Sequence, residues 1–318
     1  YCATALAAIH CGATVRMVDV EPDFNMDPEQ LTQVINANTK AIIAVDFSGW
    51  PCDYQALHEQ IKAHKHQFRA ANAIQEKWGK PLLISDAAHA LGAHYNGKSM
   101  AAAADFAVYS FHAVKNVTTA EGGLIAWCDS PEKPENLYGH LRTYSLNGQS
   151  KDAFTKNQAG AWKYDVTFAG LKANMTDLGA AIGLAQMKKY ADDLLPKRRA
   201  VAQFYRDQLG NHPACILPLQ DQEEKQGSAH LFPLRINKTE AQRDQLIQAM
   251  AEAGVALNVH FRPLPDLSLF HSLGFEAKHY PMAMKLYAQE VSLPIYPQLS
   301  EEQLSYLCDK LKETLDRL

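Results

Sequence analysis

Short apolar runs that close on a polar residue, separated by stretches with helical periodicity, constrain this chain more than any other feature. Ala41–Val45, residues 81–85 and Phe106–Ser110 are such runs. Strands that alternate with helices build βαβ units, whose crossovers lay helices over both faces of a mostly parallel sheet. The fold class expected is therefore α/β. A run at 14–20 precedes these strands and one at 123–127 follows them. Helix starts are marked too. Asp27, Pro28 and Gln30 supply an N-cap acid, a first-turn proline and a capping-box glutamine, and Thr239 with Gln242 and Ser300 with Gln303 repeat the device.

The stretch 130–170 is rich in Pro, Gly, Asn and Ser without a sustained period and reads as loops. From Asp177 a helix carries Leu178, Ala181, Ile182 and Ala185 on one apolar face, followed by a polar run over 188–199. That shift in composition predicts a hinge near 190–200, dividing a large domain (1–195) from a smaller α+β domain (196–318). The smaller domain is expected to hold strands at 231–236 and 255–261, a helix over 240–252, and a terminal helix lined by Leu304, Leu307, Leu311 and Leu315.

Composition excludes several classes of function. A net charge of −4 with 47% apolar and 21% charged residues is that of a globular protein with no global attraction to nucleic acid or anionic lipid. No uncharged apolar stretch is long enough to span a bilayer, and no basic segment leads into an apolar one, so a cytoplasmic protein is expected. Six scattered cysteines form no C-x-x-C pair and are expected to be buried free thiols. His64 and His66 have no neighbouring Cys or carboxylate partner, and no metal is assigned. The chain begins with Tyr inside a helical run, so upstream residues are expected to be missing.

The residues that carry chemistry lie between Leu82 and Gly123. One strand ends in Asp86 and another in Ser110, with Lys115 five residues on. In an open parallel sheet, ligands bind outside the carboxyl ends of the strands, so these residues face one crevice. Phe111, Ala113, Val114 and Val117 surround Lys115 in sequence. Desolvation there lowers an amine's pKa and frees a nucleophile. Pyridoxal phosphate needs such a lysine, an acid against its ring nitrogen and hydroxyl donors for its phosphate; Asp86 and Ser110 suit the last two roles.

The run S-D-A-A-H-A-L-G-A from Ser85, followed by Y-S-F-H-A-V-K-N-V-T-T-A-E-G-G from Tyr109, resembles the DegT/DnrJ/EryC1/StrS family of pyridoxal-phosphate-dependent sugar aminotransferases. The similarity extends over essentially the whole chain, including residues 12–15, 18–20, 177–186, 260–262 and 293–297. The segments around Lys115 and Lys172 look most like the branch that makes UDP-4-amino-4-deoxy-L-arabinose and related 4-amino UDP sugars.

The resemblance implies the aspartate-aminotransferase-like architecture of fold type I and a pyridoxal 5'-phosphate cofactor held by Lys115 as a Schiff base. It implies that Lys115 also shuttles the substrate proton, that Asp86 pairs with the ring nitrogen, that His89 bonds near the ring hydroxyl and that Ser110 binds phosphate. Tyr1 takes the place of the stacking aromatic. Lys172 and Asn174 lie in the stretch donated across a dimer interface toward a neighbour's phosphate. The implied partners are a nucleotide-linked keto sugar, L-glutamate and a second copy of the chain, with neither nucleic acid nor membrane.

Weaker signals remain open at this level. His112 reads as a packed core histidine rather than an acid or base. Glu121 with Gly122 and Gly123 shapes either a substrate mouth or a tight turn. His260 and Arg262, at the end of an expected strand, meet either a sugar nucleotide or water. Two other readings compete with aminotransfer: a pyridoxamine-dependent sugar dehydratase on the same fold, against which Lys115 stands, and a non-catalytic binding protein on this scaffold. No G-x-G-x-x-G opens a βα unit, which argues against a dinucleotide-dependent oxidoreductase.

Overall fold

The computed structural model describes residues 1–130, 134–151, 156, 159–160 and 162–318. Along the described residues the strands are β1 (Ala41–Val45), β2 (Leu82–Asp86), β3 (His94–Tyr95), β4 (Lys98–Ser99), β5 (Phe106–Ser110), β6 (Gly123–Ala126), β7 (Cys215–Ile216), β8 (Lys225–Gln226), β9 (Phe232–Ile236) and β10 (Glu290–Leu293). The main sheet has the order β1-β2-β5-β6. Its first three strands are parallel and β6 returns antiparallel to β5. Register places Val45 beside Asp86 and Asp86 beside Val108, so the carboxyl ends of the parallel strands lie together. The mixed α/β architecture is that of fold type I.

Two apolar cores are separate. Leu31, Ile42, Leu57, Leu83 and Ala107 belong to the first, and Val201, Tyr205, Leu234, Leu246 and Leu307 to the second. The second covers the antiparallel sheet β10-β9-β7, with the helices Glu240–Glu252 and Glu301–Arg317 packed on it. Both helices begin in complete capping boxes, at Thr239 with Gln242 and Ser300 with Gln303. The terminal helix buries all four of its expected leucines.

Between the cores, helix Asp177–Lys189 runs through a π-helical turn at Tyr190–Leu194 into helix Leu195–Leu209. The Tyr190 hydroxyl donates to the Leu91 carbonyl at 2.6 Å and fastens this turn to the first core.

Several expectations are corrected. Residues 14–20 form no ladder: their only strand-like pairing is the bridge Val20–Met26. Asp19 is drawn instead to the start of helix Pro281–Gln289, where its carboxylate accepts the Met282 and Ala283 N–H groups at 2.8 and 2.9 Å. A long-range side-chain cap thus takes the place of sheet pairing. The edge strand β1 faces a cavity of about 770 Å³.

The segment 255–261 is likewise no strand; it reduces to the bridge Asn258–Ser292. Asp27 caps only a short turn that leads to the helix Leu31–Val34. Part of the stretch 130–170 lies outside the described residues, and inside them it holds the helix Leu137–Tyr144. That helix buries no residue, and the helical spacing of Leu137, Leu141 and Tyr144 covers only two turns, too short to stand out in the sequence.

The largest reversal concerns Asp177–Lys189. The expected inward face is exposed: Leu178 is 80% and Ile182 52% accessible, while Gly179 and Gly183 are buried. Close approach explains the choice. A Cβ on Gly183 would meet the Thr119 methyl at 2.9 Å, and the Gln186 amide exchanges hydrogen bonds with the Thr118 N–H and carbonyl at 3.1 and 2.6 Å. The helix presses its glycines onto the loop after Lys115 and turns its apolar residues to solvent. Among the described residues, no helix is long and apolar enough to cross a membrane. All six cysteines are free; Cys52 and Cys308 are buried, but Cys11 and Cys128 are exposed because their segments lie outside both cores.

Candidate active site

The strands β2 and β5 deliver Asp86 and Ser110 to the same end of the sheet, as their apolar runs predict. The small residues Ala87 and Ala90, both fully buried, let the chain turn sharply after Asp86. The Asp86 carboxylate accepts the Thr4 hydroxyl of the first helix and the Ala88 N–H at 3.2 Å. Ser110 Oγ accepts the His112 N–H at 3.3 Å, which leaves its hydroxyl proton available.

Lys115 follows β5 in a loop closed by Thr119 N–H donating to the Phe111 carbonyl and Phe111 N–H donating to the Gly122 carbonyl. Its side chain is half-buried. Burial lowers the amine's pKa, and the Asp86 charge opposes that shift only in part. Of the neighbours expected, Val117 is buried and Phe111 half-buried, whereas Ala113 and Val114 point to water; the groups acting electrostatically with Lys115 are Asp86, the Tyr1 amino group, His89, His230 and His260.

His89 is buried, and its Nδ1 accepts the Ser48 N–H at 3.2 Å, so the ring proton resides on Nε2. Beside it, with ring centroids 4.3 Å apart, lies His230. Asn116 Nδ2 donates to the Tyr190 hydroxyl and the Ser228 carbonyl, both at 3.0 Å; its Oδ1 therefore accepts from His230 Nδ1 at 2.8 Å. Burial and the Lys115 charge hold both imidazoles well below their ordinary pKa, so both are neutral. A polar chain thus ties the residue after Lys115 to the second core.

His260 lies within electrostatic reach of Lys115, and both His260 and Arg262 line the cavity beside β1. Burial and the charge of Lys115 depress the His260 pKa to about 4. Arg262 is exposed and paired with Asp266 in its own turn. Tyr1 is 66% exposed, its ring 5.5 Å from Phe261. Lys172 and Asn174 are exposed, bond to each other, and among the described residues make no hydrogen bond to Lys115, Asp86 or Ser110.

His112 is not a core residue. It is exposed and lies 3.7 Å from Glu121, itself exposed. Gly123 opens β6 opposite Ser110, and Gly122 packs where no side chain fits: a Cβ there would meet Thr119 Oγ1 at 2.3 Å.

Residues that sequence reasoning missed are Asn116, His230, Ser228 and Ser48. Adjacency to Lys115 was the one local signal, and it pointed only to Asn116. The donor set matches pyridoxal phosphate: a desolvated amine, a carboxylate across from it, a neutral imidazole and a free hydroxyl at the strand ends.

Comparison with known proteins agrees with the geometry. Residues 1–312 match the model of the DegT/DnrJ/EryC1/StrS aminotransferase family. The chain is 30% identical to the spore coat polysaccharide biosynthesis protein SpsC of Bacillus subtilis, over 98% of this chain and 76% of that protein. The putative sugar aminotransferase Spr1654 of Streptococcus pneumoniae, solved in a PMP-form, is 37% identical with a TM-score of 0.95, covering all of this chain and 80% of that one. Its PLP-form superposes with a TM-score of 0.94 at 35% identity, over all of this chain and 79% of that one. PseC of Helicobacter pylori, an aminotransferase involved in the biosynthesis of pseudoaminic acid, is 26% identical with a TM-score of 0.85, over all of this chain and 78% of that one.

Proposed function

The chain belongs to the DegT/DnrJ/EryC1/StrS aminotransferase family, and from that membership we propose that it moves the amino group of L-glutamate to the carbonyl of a UDP-linked 4-keto sugar, in the biosynthesis of a cell-surface polysaccharide or glycan sugar. The observation that carries the reading is the desolvated Lys115 amine beside the Asp86 carboxylate at the ends of neighbouring parallel strands. The segments around Lys115 and Lys172 support the 4-amino UDP-sugar branch, and PseC and SpsC are sugar-pathway proteins. The reading includes the division into domains 1–195 and 196–318, with the crevice at their junction.

Bound pyridoxal 5'-phosphate supplies an electron sink for the electrons of the donor's α-carbon. The chain's residues do the rest. Lys115 Nζ takes the proton from the donor's α-carbon and later returns one to the sugar carbon, a role for the neutral amine, which burial favours. The Asp86 carboxylate holds the proton on the cofactor's ring nitrogen, and Thr4 and the Ala88 N–H fix its orientation. His89 presents Nε2–H as a donor, Ser110 offers its hydroxyl to phosphate, and Tyr1 lies against the ring. The nucleotide end of the substrate contributes binding energy that orients the keto carbon. Lys115 disfavours the dehydratase alternative, which works without that amine.

A panel of UDP- and dTDP-linked 3-keto and 4-keto sugars, each with L-glutamate, tests the assignment. The expected result is 2-oxoglutarate and a 4-amino sugar from the UDP 4-keto member, with ping-pong kinetics. If cofactor-loaded protein aminates no member of the panel, the assignment fails.

In the same reading the active form is a homodimer. Val108, Leu124 and Ile125 on the sheet and Leu178, Ile182 and Leu184 on the helix expose large apolar side chains, more than a monomer ordinarily leaves in water. A second copy covering this face would bring Lys172 and Asn174 to its neighbour's phosphate. Ile182→Lys is expected to shift sedimentation from dimer to monomer and to weaken cofactor retention at least tenfold. A wild-type monomer at micromolar concentration would refute the pairing.

A further inference from the structure

Behind His260 lies a chain of polar groups that the aminotransfer reading does not use. His260 Nδ1 is 2.8 Å from Ser292 Oγ. Ser292 in turn donates to Glu290 Oε1 at 2.5 Å, and Glu290 Oε2 accepts the backbone N–H of His260 at 2.8 Å. Glu290 is fully buried and Ser292 nearly so. Among the described residues the cation acting on Glu290 is Arg243, and its guanidinium is directed elsewhere. It donates to Asp244, Glu240 and the carbonyls of Tyr287 and Glu290, and makes no bond to the Glu290 carboxylate. A buried carboxyl without an ion pair is therefore held by one hydroxyl and one amide.

The other side of His260 faces the crevice. With Nδ1 engaged by Ser292, Nε2 has no partner among the described residues, and His260 lines the cavity with Tyr1, Phe47 and Phe261. The charged or titratable groups facing it there are Lys115, the Tyr1 amino group, His89 and His230.

Resting on the reading of this crevice as the transfer site, we propose that Glu290 and Ser292 form a proton relay that makes His260 Nε2 a proton port, with Glu290 as the positioning residue that stores the proton. The protons balance as follows. With Glu290 ionised, the Ser292 hydroxyl donates to Oε1, Ser292 Oγ accepts Nδ1–H, and Nε2 holds a lone pair. When a proton arrives at Nε2, the Nδ1 proton passes to Ser292 Oγ while the Ser292 proton passes to Glu290 Oε1. The product is a neutral Glu290, a Ser292 hydroxyl donating to Nδ1, and a neutral His260 bearing its proton on Nε2. No imidazolium persists in the buried site, and the reverse sequence releases the proton to the crevice. Burial pushes the Glu290 carboxyl up to about 8 and His260 down to about 4, so the stored proton belongs on the carboxyl.

Two readouts on the holoenzyme test this. In protein labelled with 15N-histidine, His260 is expected to change from the Nε2–H tautomer at about pH 6 to the Nδ1–H tautomer at about pH 10, without passing through imidazolium. In Glu290→Gln the side-chain amide donates to Ser292 at every pH, so His260 stays in the Nε2–H form. The kcat of that variant is expected to fall about tenfold to a hundredfold with the KM for L-glutamate within about twofold, and the pH–rate limb near the Glu290 titration to disappear. Ser292→Ala, which keeps the buried carboxyl but cuts the relay, is expected to uncouple the tautomer from pH and serves if Glu290→Gln does not fold. A single His260 tautomer across the range in wild type, or an unchanged tautomer switch in either folded variant, overturns the relay. The spectra need no turnover, so failure of every sugar in the panel would overturn the substrate assignment while leaving the relay standing.

Discussion

Lys115→Ala lowers kcat by about 10³-fold or more and leaves the fold intact. The side chain is half-buried, and among the described residues its amine makes no hydrogen bond or ion pair, so its removal breaks none. Chemistry suffers on two counts. In the proposed reading the amine is the cofactor's attachment point and also the base that takes the carbon-bound proton, a role that its lowered pKa favours. Wild-type holoenzyme treated with borohydride should carry the cofactor's mass on the peptide that contains Lys115, with loss of visible absorbance. The alanine variant should show neither. Cofactor fixed to any other lysine, or activity within about tenfold of wild type, would remove Lys115 from the centre of the reaction.

Asp86→Asn is expected to reduce kcat by about 10²–10³-fold, the scale on which one well-placed electrostatic partner acts. The substitution conserves shape: the amide oxygen can still accept the Ala88 N–H, and the amide NH2 in place of the other oxygen can donate to the Thr4 hydroxyl, which turns to accept it. What disappears is the negative charge that favours a protonated ring nitrogen. The same charge raises the Lys115 pKa against the larger effect of burial. Its removal should therefore lower the Lys115 pKa further, so that in cofactor-free protein the amine becomes reactive toward acylating reagents at a lower pH. Competitive labelling across pH, read by mass spectrometry, measures that shift. An upward shift, or none, would mean that the two groups do not face one another.

Much of this site is legible before folding is considered. Asp86, Ser110 and Lys115 stand at or just beyond the ends of apolar runs, and a parallel sheet collects such ends on one side. Strands β1, β2, β5, β6 and β9 fall within a residue or so of the runs that predict them, because each is mostly apolar and too short for a helix. The failures share one physical origin. Residues 14–20 have strand composition, but the cap that Asp19 provides at Met282 lies 263 residues away. Leu178 and Ile182 have the period of a buried face, but a backbone loop at Thr119 requires glycine against it, and the apolar side chains turn out to water. Periodicity reports that a face is apolar and leaves open what covers it.

The pairings that tune the crevice are more remote still. Asn116 meets His230 across 114 positions, and His260 meets Ser292 across 32. Nothing in the local composition of a histidine says which of its nitrogens is engaged.

By itself, the sequence determined the sheet, its helices and the amine and acid at the strand ends, since these follow from short-range hydrophobic pattern and from the rule that parallel strands share an end. Only the tertiary structure decided which groups surround Lys115, which face of helix Asp177–Lys189 meets solvent and where the protons of His89, His230 and His260 reside. Those outcomes depend on burial and hydrogen-bond partners contributed by distant segments, and such partners exist only once the chain has closed on itself.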